Sequence, residues 1–146
     1  MASGIPHSST FGGLTQKVIA YGEGFEAVIA AAKLRPLTDA DWAPLDALVD
    51  AAKWERVGVF LGPQVQTIGW DAYKAIITRY GAQTQWDGTL RRITEGDHVV
   101  IQELEERNTT AGKMDVSNTV TVFAFDGAGK IVHLDVYVAH LETRAG

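Results

Sequence analysis

Glu55 is the residue whose type and setting most readily suit proton chemistry. It shares a strand phase with Val57, Val59 and Leu61, and so falls on the apolar side of the segment around Trp54. Desolvation on such a surface raises a carboxylate's pKa, which is how a side chain becomes a base near neutral pH. At the end of a strand it is equally a solvated acid. Asp135 has the opposite phase. Leu134, Val136 and Val138 form one apolar row, so His133, Asp135 and Tyr137 lie on the other face unless a bulge intervenes. Gln102 shares a face with Val100 and Leu104, where its amide can orient a ligand or satisfy a neighbour.

Other polar clusters read as surface. Glu103, Glu105 and Glu106 beside Arg107 form an acidic tract, which alternation turns into a solvated face with cross-strand ion pairs. Four histidines without ligand spacing and no cysteine point to neither a metal site nor thiolate chemistry. No glycine-rich phosphate loop is present, so no cofactor is expected. The net charge of -5 is scattered without a basic block, which disfavours nucleic acid as a partner. No apolar run approaches the roughly 20 residues that span a bilayer, so no membrane partner is expected. The lack of cysteine permits a cytoplasmic setting.

These residues must be positioned by helices first and strands afterwards. Residues 1–13, rich in Ser and Gly, are expected as a mobile tail before a single domain over residues 14–142. Leu14, Val18, Tyr21, Phe25, Ile29 and Ala32 recur at helical spacing; Gly22 and Gly24 predict a bend or break, and Arg35-Pro36 ends the helix. A second helix opens at Thr38, with Asp41 completing a capping box, and buries Trp42, Leu45, Leu48 or Val49, and Ala52. A strand follows Trp54, Gly62-Pro63 interrupts it, and Gly69 precedes a third helix carrying Trp70, Tyr73, Ile77 and Tyr80. Strands are predicted over residues 84–93, 98–107, 113–125 and 130–141, joined by short turns as antiparallel hairpins. The class is α+β, with helices on one face of the sheet.

Over residues 37–141 this layout resembles the nuclear transport factor 2-like superfamily, which includes ketosteroid isomerase, limonene epoxide hydrolase and the SnoaL-like polyketide cyclases. The resemblance rests on Leu45-Asp46-Ala47-Leu48-Val49, on Gly69-Trp70-Asp71-Ala72-Tyr73, and most sharply on the hairpin Val122-Phe123-Ala124-Phe125-Asp126-Gly127-Ala128-Gly129-Lys130-Ile131-Val132. It implies a cone-shaped barrel: helices on a strongly curved, mixed but mainly antiparallel sheet around an apolar pocket, commonly in dimers. The functional residues carry over poorly. The isomerase's second acid falls on Thr121, Glu55 is on the strand of its base, and Tyr21 is nearest to its oxyanion tyrosine. The hydrolase's arginine and two aspartates fall on Gln102, Leu104 and Val136. His133-Leu134-Asp135 resembles the cyclase His-Trp-Asp one residue out of register, which exchanges the faces.

The expected function is thus a metal-free, cofactor-free enzyme that moves a proton or adds water on a small apolar or carbonyl-containing molecule. A non-catalytic ligand-binding or dimerising module of the same fold is the rival. Glu55 and Asp135 are the catalytic candidates, Glu55 the stronger by phase; Tyr21, Gln102, Thr121 and Val136 are the ligand-binding ones. A homodimer is expected through the outer sheet face, which carries Val120, Val122, His133 and Tyr137.

Overall fold

The computed structural model describes residues 4–60 and 62–145. Three helices, α1 (Gly13–Ala32), α2 (Asp39–Asp46) and α3 (Trp70–Tyr80), pack on a six-stranded sheet. Its strands are β1 (Glu55–Val59), β2 (Val65–Gly69), β3 (Gln85–Gly96), β4 (Val99–Thr110), β5 (Lys113–Phe125) and β6 (Ile131–Ala145). The order is β2-β1-β6-β5-β4-β3, antiparallel except where β1 lies parallel to β6. The sheet is mixed, as expected, and curled without closing: β2 and β3 remain its edges. This is the expected α+β arrangement of helices on a strongly curved, mainly antiparallel sheet, with the curl left open as a cup.

Several local expectations change. The first helix runs unbroken through Gly22 and Gly24. At Gly24 the reason is close approach, since a Cβ there would stand 2.7 Å from Leu45 Cδ2 of α2. The second helix stops at Asp46 rather than at Ala52, and Val49 instead bridges to Ile131. Its start has the predicted cap, with the Asp41 carboxylate accepting from the Thr38 N–H at 2.8 Å. A bidentate pair with exposed Arg35 and that backbone bond hold the Asp41 carboxyl well below its usual range. The segment after Gly62-Pro63 is a strand that the sequence pattern did not announce, because β2 is an edge whose residues are exposed apart from Ile68.

The expected tail is tethered. Gly4 forms a parallel bridge to Thr89, and a 3-10 turn at Ser8–Thr10 leads into α1; residues 1–3 of that tail lie outside the described residues. The core sits between the helices and the inner sheet face, where Trp42, Leu45, Trp54, Trp70, Phe123, Ile131 and Leu134 are buried. Trp54 and Trp70 meet edge to face at 5.0 Å, a geometry that aromatic quadrupoles favour.

Candidate active site

Strand alternation decides what looks into the cup. On β4 the inward row is Val100, Gln102, Leu104, Glu106 and Asn108; on β5 it includes Ser117, Thr119, Thr121 and Phe123; on β6 it includes Leu134 and Val136. With α1 and α3 above, these rows enclose two adjoining lobes of about 510 and 620 Å³, within the size range of small-molecule sites. The first is walled by Val18, Ile19, Leu104, Phe123 and Leu134. The second lies between Phe25, Ile29, Phe60 and Ile77 on one side and the hydroxyls of Ser117 and Thr119 on the other. Arg56, Tyr73, Trp86, Glu106 and Glu26 line both, and so form the neck between them.

Tyr21, Gln102, Thr121 and Val136 all line the first lobe. Glu55 does not. Trp54 is buried and so turns its row inward; Arg56 follows it, while Glu55 goes to the outer face and is exposed. The expected phase is thus inverted, because burying an indole outweighs burying Val57. Leu61, expected in the Glu55 row, lies outside the described residues. Asp135 lies beside Glu55 on that outer face, as its phase indicated. The two carboxylates flank His133, whose Nδ1 is 2.9 Å from Glu55 Oε1 and whose Nε2 is 2.9 Å from Asp135 Oδ1. This clamp spans the parallel seam, where Glu55 pairs with His133.

The hydrogen bond to Asp135, reinforced by Glu55, raises the His133 pKa above its ordinary value against a smaller opposing effect of desolvation. A folded-state pKa above the unfolded one contributes stability that is complete below the unfolded value, about 6.5, and is lost as pH rises through the folded value. In an NMR titration His133 should therefore titrate above the ordinary histidine range. Glu55→Gln combined with Asp135→Asn should return it there; a native midpoint at or below the ordinary value would refute the clamp.

Sequence reasoning missed Arg56 and Glu106. Arg56 is only 8% exposed; its Nη2 donates to the Val59 carbonyl at 3.2 Å, and its Nη1 has no hydrogen-bond partner among the described residues. The guanidinium lies over Phe60, 4.7 Å from the ring centroid, and 6.0 Å from that of Tyr73. Burial, followed by the neighbouring Tyr73, raises the Tyr21 pKa well above its ordinary value, partly opposed by Arg56 and the Trp54 indole. Burial likewise raises that of Tyr73. Both phenols are thus proton donors at neutral pH. The buried Trp54 N–H lies beside the Tyr21 hydroxyl and favours its charged form slightly, against the larger effect of burial. Glu106 accepts from the Trp86 Nε1 at 2.7 Å. Its signal was present, since Gln102, Leu104 and Glu106 share one phase. Reading the acidic tract as a block concealed it. The rest of that tract behaves as expected: on β3 and β4 Arg92 pairs with Glu103, while Arg107 pairs with Asp87 at 2.9 Å and with Glu105 at 2.7 Å.

Among the described residues no group of three or more His, Cys, Asp or Glu side chains is placed to hold a metal ion, and no helix is long and apolar enough to cross a membrane.

The architecture has clear structural counterparts. RV0760c from Mycobacterium tuberculosis superposes with a TM-score of 0.61 at 16% identity, over 86% of this chain and 96% of that one. Bal32a from a soil-derived mobile gene cassette gives 0.57 at 19%, over 84% and 91%. An M. tuberculosis LEH-like epoxide hydrolase gives 0.53 at 17%, over 82% and 83%. No sequence-family model matches the chain, and no curated protein matches it by sequence. The chain has the nuclear transport factor 2-like fold, one that carries enzymes as well as proteins of unknown function.

Proposed function

We propose that the cup takes one small, largely apolar molecule bearing a carbonyl or a similar oxygen function, and that the protein moves a proton or adds water on it with side chains alone. The observation that carries this reading is the neck. A carboxylate and a guanidinium, Glu106 and Arg56, face the same cavity, yet Glu106 is bonded to Trp86 and Arg56 Nη1 has no hydrogen-bond partner among the described residues. Leaving a buried charge so poorly satisfied is unfavourable by several kcal/mol in general, and a substrate oxygen relieves it. In the proposed step, Glu106 accepts a proton from the carbon next to the carbonyl. The C–H electron pair becomes the enolate's double bond, and the carbonyl oxygen gains the negative charge. Arg56 and the protonated Tyr21 stabilise that oxygen. With a β,γ-unsaturated ketone the product is a dienolate, and return of the proton from Glu106 to its γ-carbon moves the double bond into conjugation and completes an isomerisation. The same pair serves hydration of the carbonyl: Glu106 takes a proton from the attacking water, the C=O π pair moves onto the oxygen held by Arg56 and Tyr21, and Glu106 returns the proton to that oxygen.

The test is deuterium incorporation from D2O into simple cyclic ketones, followed by proton NMR. Exchange faster with protein than in buffer supports the enzyme. Ketone binding without accelerated exchange assigns the cup to a ligand-holding module instead, a reading favoured by the outward position of Glu55 and Asp135.

We also propose that the outer sheet face pairs two copies of the chain. Tyr137 on that face is 62% exposed, beside half-buried Val120 and Val122. Sedimentation at micromolar concentration should give a dimer, and Tyr137→Glu a monomer; a wild-type monomer would end this reading. The absence of cysteine makes the cytoplasm our proposed setting.

A further inference from the structure

The segment before α1 crosses the first lobe between two anchors. At one end, Gly4 N–H donates to the Gly88 carbonyl at 3.2 Å, and Leu90 N–H donates to the Gly4 carbonyl at 3.0 Å. A side chain cannot be placed there: a Cβ on Gly4 would fall 2.5 Å from Thr89 Oγ1 and 2.9 Å from the Gly88 carbonyl oxygen. At the other end, Glu23 of α1 accepts from Ser8 N–H at 2.6 Å and from Ser8 Oγ at 2.9 Å, with His7 Nε2 3.7 Å away. Between the anchors, Ile5, Pro6 and His7 line the cavity.

The strap also bears on the neck. A Cβ built on Gly88 would meet the Trp86 ring at 2.9 Å and Ile5 Cδ1 at 3.5 Å, so the indole that holds Glu106 and the strap's isoleucine lie together over that glycine. Two anchors of a few hydrogen bonds each are the sort of attachment that opens locally without unfolding the domain. What they hold in place is an aliphatic wall, Ile5-Pro6, facing Val18, Ile19 and Leu104.

We propose that residues 4–8 are the gate of the first lobe. The strap lifts from Thr89 and Glu23 to admit a ligand's apolar end, and reseats to close over it beside Trp86, whose indole holds Glu106. Residues 5–7 thereby select ligands whose inner end is apolar and small enough for the seated strap. This rests on the reading of the cup as a site for an apolar molecule.

Two substitutions in the full chain each cut one anchor without altering a lining residue. Gly4→Val cannot seat against Thr89. Ser8→Pro removes the N–H and hydroxyl that Glu23 accepts, at the first position of a turn where proline is tolerated and after a residue already extended, with His7 at φ -61 and ψ 147. The probe is the apolar fluorescent ketone 6-propionyl-2-(dimethylamino)naphthalene, followed by stopped-flow. Hydrogen exchange at the Leu90 amide, which donates to Gly4, monitors release of the strap. Association and dissociation should both accelerate at least tenfold in each variant, with the dissociation constant changing much less. Unchanged rate constants in variants whose Leu90 amide exchanges faster would overturn the gate and leave the cup standing. Failure of the wild-type protein to bind the ketone at millimolar concentration would remove the apolar site and the gate with it.

Discussion

Glu106→Gln is expected to lower catalysed deuterium exchange by a hundredfold or more, the lower end of what a positioned general base contributes, about 10²–10⁴. The substitution keeps the shape and the oxygen that accepts from Trp86 at 2.7 Å, so orientation survives while the proton acceptor is lost. Ketone affinity should change little, because the apolar walls of both lobes are untouched. Glu55→Gln and Asp135→Asn supply the contrast. Both carboxylates are on the outer face against His133, and their loss should leave turnover within a fewfold of wild type. This departs from strand phase, which made Glu55 the stronger of the two catalytic candidates. Full activity in Glu106→Gln together with severe loss in Glu55→Gln would move the chemistry to the other face of the sheet.

Trp70→Ala should destabilise the fold by about 3–5 kcal/mol, the usual cost of truncating a buried large aromatic. Trp70 is 2% exposed and is ringed by Trp54 at 5.0 Å, Phe25 at 6.1 Å and Trp42 at 6.5 Å. It joins α1, α2, α3 and the residue leading into β1, so no single neighbour can collapse into the space. Its indole also donates to Asp46 at 2.8 Å. Asp46 is partly in water, so losing this bond adds little to the lost packing. Trp70→Phe should restore a large part of the difference. Urea unfolding with an unchanged m-value measures it, and a loss below 1 kcal/mol would show that the aromatic cluster is not the keystone of the helical layer.

Composition and periodicity were enough for the class of fold and for most of its parts. Apolar residues at helical spacing from Leu14 mark α1, and the hairpin through Asp126-Gly127 marks the end of the sheet, because both are driven by burial patterns local in the chain. The inward rows of β4, β5 and β6 followed in turn, and with them the places of Gln102, Thr121 and Val136. Alternation also put Asp135 on the outer face. The phase of β1 needed the third dimension. Its two rows are both partly apolar over only a few residues, and the choice between them was made by the pocket that α1 and α3 provide for Trp54. That choice brought Arg56 in and sent Glu55 out. The edge strand β2 and the strap of residues 4–8 were likewise invisible, since their backbone hydrogen bonds reach β1 and β3 without a hydrophobic period of their own. The sequence by itself thus determined which elements form and which faces are apolar, because those depend on neighbours a few residues away. Only the tertiary structure decided which charges meet in the cup, because that depends on how one short strand turns about its axis when the helices close over it.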